Sequence, residues 1–109
     1  MPVADTRVIV VLTNLPDRES ALKLADTLIE QRLAACVNVH SGCTSVYRWQ
    51  GKLEQASEVP VVIKTTAAAY ARLEAAIRAF HPHELPEIIS VPVVAGLAPY
   101  LDWIATETA

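Results

Sequence analysis

The chain has 109 residues, a formal net charge of -3 and 52% hydrophobic residues, which suits one domain burying roughly two thirds of its unfolded surface. The acidic balance offers no basic field for nucleic acid or an anionic membrane, and no uninterrupted apolar run approaches the ~18 residues that span a bilayer. Mean hydropathy of +0.30 is high for a soluble domain, so the surplus apolar surface is expected to go into contacts with other protein.

Met1 to Arg7 carry no basic segment followed by a long apolar one; no signal peptide is read, and the cytoplasm is the expected compartment. Arg7 to Thr13 are apolar on both faces, the pattern of a central strand covered above and below. Asn14-Leu15-Pro16-Asp17 turns the chain, with Asp17 placed as an N-cap. Ala21, Leu24, Ala25, Leu28 and Ile29 recur at helical spacing, which predicts an amphipathic helix to about Arg32.

Next come two arms rich in Val, Ile, Tyr and Trp, running from Ala34 to Lys64 and joined by a tight turn at Gln50-Gly51-Lys52. That is the pattern of a β-hairpin. Its arms exceed the usual ~5 to 6 residues of a strand, so the tip with Tyr47, Arg48 and Trp49 should project and need a cover. Ser41-Gly42 predicts a bulge or bend in the first arm, and Pro60 marks where the second arm passes from the hairpin into the main sheet. Thr65 or Thr66 is placed to cap a second helix bearing Tyr70, Leu73, Ile77 and Phe80.

His81-Pro82-His83-Glu84-Leu85-Pro86-Glu87 cannot continue that helix, because its prolines stiffen the backbone. Ile88 to Val94 reads as a strand placed at an edge by Pro92. Pro99 suits the start of a short final helix carrying Tyr100, Leu101, Trp103 and Ile104. The order β-α-β-β-α-β plus a helix predicts an α+β, ferredoxin-like sandwich with a long β-hairpin, all of residues 1–109 forming one domain. Right-handed crossovers then put the first and third strands in the middle. Two long helices cover only one face of strands that are apolar on both. An obligate oligomer is therefore expected.

Several chemistries are weighed on these residues. His81, His83 and Glu84, with Glu87 nearby, offer imidazole and carboxylate donors suited to copper or zinc; the alternative is a pair of surface histidines on a Pro-rich loop. Cys36 and Cys43 are read as reduced thiols, Cys36 as a small hydrophobe. Tyr47, Arg48 and Trp49 fit an oligomer interface better than a ligand cradle. Lys64, Thr65 and Thr66 could meet an anion at the second helix, although capping alone explains them. No assembled nucleophile and base, Gly-rich phosphate loop or paired-Cys motif is present, and no enzymatic activity is expected.

Leu33-Ala34-Ala35-Cys36-Val37-Asn38, Ser45-Val46-Tyr47-Arg48-Trp49-Gln50-Gly51-Lys52, Ile63-Lys64-Thr65-Thr66, His81-Pro82 and Leu85-Pro86-Glu87-Ile88, in this order and spacing, resemble the CutA family of divalent-cation tolerance proteins. The resemblance implies a ferredoxin-like homotrimer, architecturally similar to the PII signalling proteins, with hairpins reaching neighbouring subunits. It also implies a role in tolerance of copper or similar divalent ions, with a PII-like small-ligand sensor as the alternative. A copper site described for a bacterial relative uses a Cys ending the first strand and two adjacent His after the second helix. Here Thr13 and Phe80 stand at two of those places and His81 at the third.

Overall fold

The computed structural model describes residues 5–109; Met1 to Ala4, part of the segment read above for a signal peptide, lie outside the described residues. The elements are β1 (Val8–Leu15), α1 (Arg18–Glu30), β2 (Cys36–Val39), β3 (Cys43–Trp49), β4 (Lys52–Thr66), α2 (Tyr70–Phe80), β5 (Ile88–Pro92) and α3 (Ala98–Glu107), with a 3-10 turn at Ala67–Ala69 before α2. The sheet order is β2-β4-β1-β5, all pairs antiparallel, with β3 pairing β4 alone. The expected ferredoxin-like arrangement is present, with β1 and β4 central.

α1 starts where expected: the Asp17 carboxylate accepts the Ser20 backbone N–H at 2.7 Å. It stops because Arg32 turns left-handed at φ 59. Leu33 N–H then bonds the Leu28 carbonyl and Arg32 N–H that of Ile29, satisfying carbonyls that would otherwise lack partners. The threonines that end β4 do not cap α2 as expected. Thr65 instead donates its hydroxyl to the Leu33 carbonyl at 2.7 Å, Thr66 faces the Thr108 hydroxyl at 3.4 Å, and the backbone enters α2 through the 3-10 turn with no side-chain cap. Phe80, expected on the buried face of α2, is exposed, while Leu73 and Ile77 are buried.

The first arm of the hairpin is two strands rather than one bent strand. β2 ends at Val39 and β3 starts at Cys43, while β4 runs unbroken for 15 residues beside both. Pro60 explains where the break falls. Its carbonyl accepts the His40 N–H at 2.9 Å, and in an antiparallel pair its own N–H would point back the same way. Having none, it meets the gap between β2 and β3 and leaves the β1 side intact, where Pro60 stands opposite Asn14. Beyond it, β3 and Lys52–Glu58 form a two-stranded arm that contributes to a 48 Å long axis.

The main core lies between α1, α2 and one sheet face. Val11 and Leu15 of β1 and Val59, Val61 and Ile63 of β4 are buried there with Leu24, Leu28, Leu73 and Ile77. The other sheet face carries Val10, Leu12 and Val62, with Ile89 and Val91 of the edge strand β5 at 52% and 47% exposure. α3 covers only one end of it, where Ile104 packs on Val8.

Candidate functional site

The loop between α2 and β5 folds back against the end of β1 where the hairpin leaves the sheet. His81, at 8% exposure, is buried. Its Nδ1 accepts the His83 backbone N–H at 3.1 Å, so the ring proton sits on Nε2, which donates to the Asn14 carbonyl at 2.6 Å. Asn14 in turn donates its side-chain amide to Glu87 Oε1 at 3.2 Å. Asn14 thus ties both ends of the loop to β1. This role was not legible in the sequence, where Asn14 reads as a turn residue.

Of the residues expected to bind metal, His81 is neither a surface residue nor a free donor, since both ring nitrogens hold backbone groups. His83 and Glu84 are exposed, and the two imidazole rings lie tilted with centroids 4.8 Å apart. Among the described residues no three His, Cys, Asp or Glu side chains are grouped to hold a metal ion. The donors of one chain therefore do not make a closed site. Thr13 is buried, and among the described residues its hydroxyl has no hydrogen-bond partner.

The loop and the hairpin, weighed separately in the sequence, come together. A cleft of about 870 Å³ is lined by Tyr47, Arg48, Trp49 and Glu58 on one side and His81 to Glu87 on the other. Tyr47 and Trp49 project on one face of the hairpin because they alternate with Arg48. They are 43% and 37% exposed. The cleft mixes aromatic faces with the carboxylates of Glu58, Glu84 and Glu87 and the single guanidinium of Arg48.

At the other end of the uncovered sheet face stands a second polar group. Cys36 and Lys64 are register partners across β2 and β4, and Lys64 Nζ donates to Asn38 Oδ1. The Cys36 thiol lies 3.9 Å from the same oxygen. Tyr100 of α3, stacked with Trp103 at 5.6 Å, has its hydroxyl held above the usual tyrosine range, by partial burial first and by the neighbouring Cys36 second. Cys43 is free and exposed on the hairpin.

Among the described residues no helix is long and apolar enough to cross a membrane. The sequence profile of the CutA1 divalent ion tolerance protein matches residues 9–107. A divalent-cation tolerance protein CutA of Thermus thermophilus is 43% identical over 99 residues, which cover 91% of this chain and 96% of that protein. The solved structure of the divalent cation tolerance protein from that organism superposes with a TM-score of 0.92 at 42% identity, covering 94% of this chain and 99% of the other. The human protein CutA is 42% identical over 85% of this chain, which spans only 52% of that longer relative. A structure described as the periplasmic divalent cation tolerance protein CutA of Archaeoglobus fulgidus superposes with a TM-score of 0.90 at 32% identity, covering 94% of this chain and 99% of that one. With nearly its whole length matched in sequence and in fold, the chain belongs to the CutA1 divalent ion tolerance family.

Proposed function

We propose that the protein serves divalent-cation tolerance without catalysis, as a homotrimer in which each uncovered sheet face is buried by a further copy. The observation that supports this reading is the apolar face of Val10, Leu12, Val62, Ile89 and Val91, left open by both long helices. Burying it gains about 25 cal/mol per Å² of apolar area. The projecting hairpin supplies the reach between copies, with Tyr47, Arg48 and Trp49 as anchors, aromatic and Arg side chains being those that carry most interface energy. Direct contact with copper or zinc is assigned to His83 and Glu84, completed by a donor from another copy, while His81 holds the loop. The cytoplasm is retained as the proposed compartment, in keeping with the free thiols of Cys36 and Cys43; fractionation of cells expressing the full-length protein tests it.

Light scattering of the purified protein should give three times 11.8 kDa, and Leu12→Lys, which places a charge on the uncovered face, should lower that mass. A monodisperse monomer overturns the assembly. Calorimetric titration with copper(II) should show binding that His83→Ala weakens. Equal affinity in the variant removes His83 from the contact. Absence of binding by either protein makes the tolerance role indirect.

A further inference from the structure

We propose that the Lys64 ammonium pairs with the Glu54 carboxylate of a second copy, carried there by that copy's hairpin; the inference rests on the assembly proposed above and names the charged contact within it. Where β2, β4, β1 and β5 lie side by side, Lys64 is the one charged residue that strand register places on the uncovered face, among the described residues. Its ladder neighbours there are Cys36 on β2 and Val10 on β1, with Val91 beyond. The ammonium donates to the Asn38 amide oxygen, a neutral acceptor that takes one of its three protons. Among the described residues no carboxylate lies within ion-pairing distance of it. Water compensates the charge while the face is wet. A further copy laid on the face removes that water, and a buried ammonium without an acid is strongly destabilising. The covering copy must therefore bring a carboxylate.

The hairpin has one in place. Alternation puts Glu54 and Glu58 on the same side of β4 as Lys64. Glu54 stands directly across the ladder from Tyr47, so a hairpin that seats Tyr47 on a neighbour sets this carboxylate beside the ring. It makes no ion pair among the described residues. Glu58, at the base of the hairpin, faces the cleft against its own loop and does not travel with the tip. Along β4, Glu54 and Lys64 of one chain are roughly 33 Å apart at about 3.3 Å per residue, so the pair can form only between copies. A contact of one copy's hairpin with the next copy's sheet face joins two different surfaces, which is the kind that closes a ring.

The test is a charge exchange on the full-length protein, read by light scattering over a range of concentrations. The wild type should give three times 11.8 kDa. Lys64→Glu and Glu54→Lys alone should each raise the concentration at which the assembly dissociates by at least about tenfold, and the two together should restore the wild-type behaviour. Neutral variants cover the case in which a reversed charge prevents folding: Lys64→Met and Glu54→Gln should each lower the melting temperature, and their combination should lower it by less than the two losses added. A trimeric wild type with no restoration and additive losses overturns the pair and leaves the assembly standing. Restoration of Lys64→Glu by Glu58→Lys instead of Glu54→Lys also overturns it. A monomeric wild type overturns the assembly and the pair with it.

Discussion

His81 and Asn14 are joined through the imidazole Nε2 and the last-but-one carbonyl of β1, 2.6 Å apart, while the other ring nitrogen receives the His83 N–H. The ring is thereby a structural cross-link between loop and sheet rather than a free base. Removing it leaves a part-buried carbonyl without its donor, at a cost of about 1–3 kcal/mol. His81→Ala should lose about that much stability in urea unfolding. His83→Ala, at an exposed position, should stay within about 0.5 kcal/mol of the wild type. Equal losses in the two variants would contradict the cross-link.

Thr13 carries the opposite signature. Its side-chain hydroxyl is buried and has no partner among the described residues, and a buried unpaired hydroxyl costs about 1–3 kcal/mol. Thr13→Val keeps the shape and the branched Cβ favoured in a strand. It is expected to raise the unfolding midpoint, corresponding to about 1 kcal/mol. A loss of stability would show that the hydroxyl is bonded in solution.

The hairpin turns on two left-handed residues, Gln50 at φ 50 and Gly51 at φ 81, which is the geometry of a type I′ turn. A Cβ at position 51 would meet nothing within 4 Å, so any penalty there comes from the backbone alone. Gly51→Val should destabilise by more than about 1 kcal/mol, and Gln50→Asn, a residue at ease in this conformation, should raise the melting temperature. Calorimetric scans of both variants check the pair. An unchanged Gly51→Val protein would mean that the turn opens freely.

Asp17 gives a pH dependence. Its carboxyl is held below the usual range, first by the Ser20 backbone N–H and then by the Ser20 hydroxyl. A carboxyl with a depressed folded-state pKa contributes stability that is fully present above its unfolded value of about 3.9 and is lost as pH falls through the folded value. Asp17→Asn retains an acceptor for the cap but cannot titrate. The stability gap between wild type and variant should therefore shrink on going from pH 7 to below pH 4, measured as the difference in melting temperature. A gap independent of pH would remove the Asp17 charge from the cap.

Local patterns determined much of this protein. Helical spacing in Ala21 to Leu28, the cap at Asp17, the Gln50-Gly51 turn and the edge placement of Pro92 each depend on residues near in sequence, and each is found where the spacing puts it. The doubly apolar β1 also showed that the sheet has a second apolar face, because alternation in a strand assigns every side chain to a face. The capping role of Thr65 was misread, since its hydroxyl has a choice between its own helix and a distant carbonyl at Leu33. Only the tertiary structure could settle that competition. The same holds for the candidate sites. Asn14 meets His81, and Lys64 meets Asn38 and Cys36, through strand register and loop closure across 67 and 26 positions of sequence for the first two pairs. No periodicity encodes such meetings, because they depend on which strands become neighbours and in what register they pair. Composition and spacing named the side chains with chemistry to offer; packing decided that His81 would hold the loop and that, among the described residues, Lys64 would stand without a counter-charge.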